Sequence, residues 1–158
     1  IDYPSLSEEE QILLSTTLES LPKLSQIIDG PTILRIQKAV RGIAVSHEVA
    51  NYAARLTRAT RPGSPEAPDF IDQWVRWGCG PRAGQGLLLA AKSNAGLAGR
   101  SEATIEDVKK FVHPVMRHRM GLNFAAVSEG QSTDDIVDML LEAVPVVASA
   151  PAAMAAAV

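Results

Sequence analysis

The chain has 158 residues, 46% hydrophobic but only 4% aromatic, with 15 basic against 18 acidic side chains and a formal net charge of −3. It is apolar enough to bury a core, poor in the aromatics that sandwich strands favour, and its pI near 5.6 is not the footprint of a dedicated nucleic-acid binder. A single cysteine, Cys79, excludes an internal disulfide framework and a cysteine-based zinc site.

In chain order, the first helix signal is Ser7 followed by Glu10, a capping box with acidic residues in the first turn. This predicts a helix to about Glu19, ended by Pro22. A second helix is expected from Pro31–Thr32 to Gly42. Ile33, Ile36 and Val40 would face inward and Arg35, Lys38 and Arg41 outward. Ile43–Val45 reads as a short extended connector. Ser46 caps a third helix to about Thr60, with Val49, Tyr52, Ala53 and Leu56 as its buried stripe. Arg55, Arg58 and Arg61 lie toward its C-terminal end, where cations suit the macrodipole. RPGSPEAP, residues 61–68, is a loop and a candidate mobile excursion.

Asp69 is expected to cap a short helix over Phe70–Trp77. After the tight connector Gly78-Cys79-Gly80, Pro81 opens a long helix to about Leu97, with Leu87, Leu88, Ala91 and Ala95 inward and Gly99 as its stop. Gly84 and Gly86 inside it are unfavourable by about 1 kcal/mol each relative to Ala, which implies close backbone approach. Thr104 with Asp107 marks another N-terminus, with Ile105, Val108 and Val112 spaced for burial. Pro114 predicts a break at His113 and a helical piece to about His118. Leu122 and Phe124 suit a short extended segment. Ser132 caps a last helix, Thr133–Ala143, with Ile136, Val137, Leu140 and Leu141 inside. The end of the chain, 148–158, is low in complexity and reads as a tail. The expected architecture is all-α: a compact bundle of about six or seven helices with at most very short β elements.

Several chemistries lack their motifs. There is no G-x-x-x-x-G-K-[ST] loop, no G-x-G-x-x-G after a strand and no H-E-x-x-H. His113 and His118, five apart, fall on different helix faces and read as solvated or capping residues rather than a metal pair. Asp134, Asp135, Asp138 and Glu142 read as a solvated acidic face. Cys79 lacks a nearby base to serve as a nucleophile. No run approaches the ~18 apolar residues of a membrane span. The acidic opening IDYPSLSEEE is unlike a signal peptide. With no initiator Met, the chain is expected to be a piece of something longer, in the cytoplasm.

What stands out is WGCGPRAGQGLLLAAK, residues 77–92. It places one arginine, Arg82, in the first turn of a helix among Gly80, Ala83, Gly84 and Gly86. A guanidinium fork matches phosphate oxygens, and a helix N-terminus adds positive partial charge. The alternative is a surface arginine beside a well-packed helix start.

GCGPRAGQGLLLAAK, AGRSEATIEDVKKFVHPVMRHRM, LNF and STDDIVDMLLEAVPV together resemble the C-terminal helical lid of MoxR-type AAA+ ATPases. The opening DYPSLSEEEQIL is similar to the passage from their core domain into the lid. The resemblance runs from Asp2 to about Val147 and implies a lid domain over 1–147. It implies that Arg82 is the sensor-2 arginine, contacting the terminal phosphates of ATP held with Mg by a core domain. Tyr3 and Pro4 would lie at the hinge near the adenine. It further implies a chaperone-like motor whose lid meets its own core, neighbouring subunits of a ring and von Willebrand A-type proteins, with no membrane or nucleic-acid partner. By itself the chain is expected to hydrolyse no ATP. Cys79 departs from the small residue, such as serine, expected there. The arginines Arg55, Arg58, Arg61, Arg117 and Arg119 are either solvated helix ends or contacts to a core or neighbour. The other classes are a stand-alone helical interaction module, using the 61–68 loop or the last helix, and a helical nucleic-acid binder.

Overall fold

The computed structural model describes residues 3–19 and 23–146, and the chain divides into two units, 1–34 and 35–158. In the first unit α1 spans Leu6–Thr16. Its capping box is built by Ser5 and Glu8 rather than Ser7 and Glu10. The Ser5 N–H and hydroxyl both donate to Glu8 Oε2 at 2.7 Å, holding that carboxyl below its ordinary range. SLSEEE contains both frames, and the earlier one lengthens the helix while keeping Glu8 and Glu9 in its first turn. The helix also stops short of Glu19. The hydroxyls of Thr16 and Thr17 donate to the carbonyls of Ile12 and Leu13 at 2.7 and 2.8 Å, the local competition that ends helices at such residues. Pro22 and the 148–158 tail lie outside the described residues.

Helix α2 spans Gly30–Gly42 and passes from the first unit into the second. Asp29 Oδ1 caps it, accepting from the Thr32 N–H at 2.9 Å. Among the described residues the expected inward stripe is only partly covered: Ile33 and Ile36 are exposed and Val40 is half-buried. Its last turn is fastened by Lys92 Nζ, which donates to the Arg41 carbonyl at 2.9 Å.

The second unit is a mostly helical bundle. Strand β1, Ala44–Val45, pairs in parallel with β3, Glu102–Ala103. Helix α3, His47–Ala59, starts at Ser46, whose hydroxyl accepts from the Val49 N–H at 3.3 Å. It buries Val49, Tyr52, Ala53 and Leu56 as expected, with Thr57 and Ala59 besides. Helix α5, Pro81–Leu97, packs against α3 and buries Ala83, Leu87, Ala91 and Ala95. Leu88 is only half-buried. Gly99, in the left-handed region at φ +70°, follows its end as a C-terminal stop. The two interior glycines have the expected reason: a Cβ on Gly84 would sit 3.3 Å from Thr57 Oγ1, and one on Gly86 3.2 Å from Val115 Cγ1. The 61–68 loop is fastened, with Arg58 Nε on Glu66 Oε1 at 2.8 Å and the Gly63 N–H on Asp72 Oδ1 at 2.7 Å.

Three local expectations are corrected. Helix α4 is Asp69–Trp74 and follows Pro68 as N-cap, while 75–77 is strand β2. It pairs antiparallel with β4, Gly121–Leu122, through an irregularity between Val75 and Trp77. The pairing is close because Gly121 has no side chain: a Cβ there would meet the Trp77 ring at 2.2 Å. The second break falls at Phe111, between α6, Ile105–Lys110, and α7, Val112–Met116. Pro114 thus occupies the first turn of α7, where its missing N–H has no helical partner to lose. Third, Phe124 is not extended but opens α8, Phe124–Ser128, capped by Asn123 Oδ1 accepting from the Ala126 N–H at 3.0 Å. Helix α9, Thr133–Ala143, starts at the predicted cap Ser132, which forms a capping box with Asp135; it buries Ile136, Val137 and Leu140 and leaves Leu141 half-buried.

Candidate functional site

The site is built from the connector 78–80 and the first turn of α5. Gly80 is the N-cap, in extended backbone, and offers no side-chain cap. Pro81 takes the first helical position, where its ring-fixed φ fits and no N–H is needed. Arg82 follows at the second position. The first turn holds no acidic residue, although acids are what a helix N-terminus prefers. Arg82 is exposed, and among the described residues nothing forms a hydrogen bond or ion pair with it. A cation at the positive end of a helix, unpaired and solvent-facing, works against local stability by a few tenths of a kcal/mol to about 1 kcal/mol. Conflicts of this kind between a local rule and the fold concentrate at functional positions.

The neighbouring arginines divide by their partners. Arg58 pairs with Glu66, Arg117 Nε with Asp134 Oδ1 at 3.1 Å, and Arg55 donates to the Pro145 carbonyl at 2.9 Å. These three serve the fold. Arg61 Nε donates to the Cys79 carbonyl at 2.8 Å, and Arg119 to the Val115 carbonyl. Neither has a carboxylate partner among the described residues. Both positive charges act on Cys79. Around the start of α5, Arg61, Arg82 and Arg119 therefore have no carboxylate partner among the described residues. Beside them a cleft of about 300 Å³ lies between α3 and α5, floored by Ala53, Thr57 and Gly84 and rimmed by Arg58, Arg61 and Gln85.

Cys79 itself is a core residue. It is buried, and burial pushes its thiol up, against the smaller opposing pull of the Thr60 hydrogen bond and the Arg119 and Arg61 charges.

The remaining candidates are dispersed. His113 Nε2 lies 2.9 Å from Asp138 Oδ1, and His118 is exposed. The acidic face resolves into separate tasks: Asp134 pairs with Arg117, Asp135 closes a capping box, and Asp138 meets His113. No group of three His, Cys, Asp or Glu among the described residues could hold a metal ion. Nor is any described helix long and apolar enough to cross a membrane. Tyr3 and Pro4 are exposed in the first unit, whereas Arg82 belongs to the second. Sequence reasoning missed the Thr60–Arg61 contacts with Cys79, which join positions 18 and 19 residues apart. Only the pair of glycines flanking Cys79 in the sequence hinted at them.

The chain is similar to several known proteins. Residues 70–140 match the model of the AAA lid domain. Chaperone MoxR1 of Mycobacterium tuberculosis is 30% identical over 144 residues, covering 91% of this chain and 38% of that protein. The uncharacterized protein YeaC of Bacillus subtilis is 26% identical over 145 residues, covering 91% and 42%. The chain thus spans about two fifths of the length of these relatives. A crystal structure of a proposed ATPase from Cytophaga hutchinsonii superposes with a TM-score of 0.72 over 92% of this chain and 44% of that one. At 23% identity it shares the fold.

Proposed function

We propose, from the premise that residues 70–140 are an AAA lid domain of the MoxR type, that this chain works as the lid of an ATP-hydrolysing AAA+ motor and that Arg82 is its sensor-2 arginine. The observation that carries the assignment is the unpaired, exposed guanidinium at the acid-free start of α5. The donor set suits terminal phosphates: a planar fork beside a helix N-terminus, with Arg61 and Arg119 adding positive field and no local carboxylate competing. ATP, with its Mg held by a core domain, brings the phosphoanhydride. Arg82 supplies charge where negative charge builds during transfer. Because α5 is packed on α3 and α7, a contact made or lost at Arg82 is passed to the bundle as a rigid body.

In this reading the chain alone hydrolyses no ATP. Tyr3 and Pro4 form the hinge toward the adenine, and the domain runs over 1–147. The lid works in the cytoplasm, in a ring, against neighbouring subunits and with von Willebrand A-type partners. A stand-alone interaction module is less well supported, since the 61–68 loop is fastened and α9 turns its apolar face inward.

The test is Arg82→Ala in the intact ATPase. An exposed, unpaired side chain replaced by a better helix former leaves folding within about 0.5 kcal/mol. Turnover falls about tenfold or more, equivalent to about 1.4 kcal/mol of transition-state stabilisation. Wild-type turnover in that variant rejects the sensor role.

A further inference from the structure

We infer that Arg61 is a positioning residue for Arg82: with Thr60 it clasps the backbone of Cys79 and thereby sets where the first turn of α5 stands. This rests on the sensor reading of Arg82 and adds a residue to it.

The clasp uses both polar groups of one peptide residue. The Cys79 N–H donates to Thr60 Oγ1 at 2.8 Å, and the Cys79 carbonyl accepts from Arg61 Nε at 2.8 Å. Thr60 is fully buried, and its own hydroxyl proton goes to the Thr57 carbonyl at 2.7 Å. The acceptor of the first bond is therefore fixed by α3 itself. The connector can reach it only because residue 78 has no side chain. A Cβ on Gly78 would lie 2.2 Å from the Thr60 carbonyl oxygen and 2.7 Å from Arg61 Cα. On the far side of Arg82, Gly84 meets Thr57 of the same helix, 3.3 Å from its would-be Cβ to Oγ1. The end of α3 thus registers the chain at residues 78–79 and again at 84. Arg82 lies between the two anchor points, with no hydrogen bond or ion pair of its own among the described residues.

The division of labour within Arg61 follows from its bonding. Its Nε is used on Cys79, and its side chain is half-buried. A positioned arginine loses effect steeply when displaced, since about 1 Å at a reacting group can change a rate about 10²-fold. Arg61 needs to touch nothing on the nucleotide to matter.

The experiment is a double-mutant cycle on turnover of the intact ATPase: wild type, Arg61→Ala, Arg82→Ala and the double variant, with Arg61→Lys as the conservative change. Positioning predicts that Arg61→Ala lowers kcat about five- to tenfold with the KM for ATP within about twofold. It predicts that Arg61→Lys recovers at least half the loss, and that Arg61→Ala has no further effect once Arg82 is alanine. Effects that multiply in the double variant overturn the proposal, because Arg61 would then act independently of Arg82. Wild-type kcat in Arg61→Ala overturns it while leaving the sensor reading intact. Wild-type kcat in Arg82→Ala removes both. If Arg61→Ala melts more than about 10 °C below wild type, Arg61→Met, which keeps the apolar stem, is read in its place.

Discussion

Asp107→Ala removes a side chain that accepts five hydrogen bonds from its neighbours. Asp107 Oδ1 accepts from Asn94 Nδ2 and Arg100 NH2, each at 2.6 Å. Its Oδ2 accepts from Arg100 NH1 at 2.7 Å and from the Thr104 N–H and hydroxyl at 2.8 and 2.9 Å. The side chain is almost wholly buried, at 5% exposure. One group therefore closes the capping box of α6 and ties it to the end of α5. Loss of a cap costs about 1 kcal/mol, and the stranded Asn94 amide and Thr104 N–H add about 1–3 kcal/mol. Water reaches part of the gap, so the expected total is about 2–4 kcal/mol, or a urea midpoint lower by about 1–2 M.

The Arg100 guanidinium is the chief cause holding the Asp107 carboxyl well below the usual carboxylate range. A depressed folded-state value means the contribution is complete above the unfolded value of about 3.9 and fades as pH falls toward the folded one. The stability gap between wild type and Asp107→Asn is accordingly level from about pH 7 to 5 and narrows below about pH 4. Urea titrations of the chain across that range are the assay. A gap under about 1 kcal/mol at neutral pH, or one that widens in acid, refutes the reasoning.

Two further outcomes follow from the connector. Gly78→Ala must displace backbone at Thr60 and Arg61 and is expected to lower stability by about 3 kcal/mol or more. Gly80→Ala, with nothing within 4 Å of its new Cβ, shifts the urea midpoint little. Equal effects of the two would dismiss the clasp geometry. The buried Cys79 thiol, with its ionisation pushed up, should react with a disulfide reagent at pH 8 at least about 100-fold more slowly in the folded chain than in urea. Rapid labelling of the native chain would contradict its burial.

How far the sequence could be read depended on the range of the deciding interaction. Ser46, Thr104 with Asp107, and Ser132 are caps whose partners lie three residues away, and all three stand where expected, Ser132 with Asp135 as its partner. Pro81 and Gly99 bound α5 for equally local reasons. Residues 75–77 look helical by pattern but pair with a segment more than forty positions on, information no window of local spacing contains. The stripe Ile33, Ile36 and Val40 is a true amphipathic signal, yet it names no partner, and among the described residues Ile33 and Ile36 stay exposed. In the candidate site, Arg82 stands out in the sequence because a lone arginine among glycines at a helix start is unusual, and the structure places it exposed there. Arg61 was not, since it sits in a run of three arginines of ordinary helix-end spacing. Only the fold shows that Arg58 is spent on a loop while Arg61 reaches the connector.

Gly84 and Gly86 carry a mechanical consequence. An isolated helix with two glycines in its opening turns would fray there first, because those positions give up the most freedom on ordering. Here that stretch stays wound only while α3 lies along one flank and Val115 along the other. A small sliding of either neighbour loosens the tip of α5 and leaves its alanine-rich distal half intact. The bundle thus has a soft nib on a stiff shaft, with the arginine at the nib.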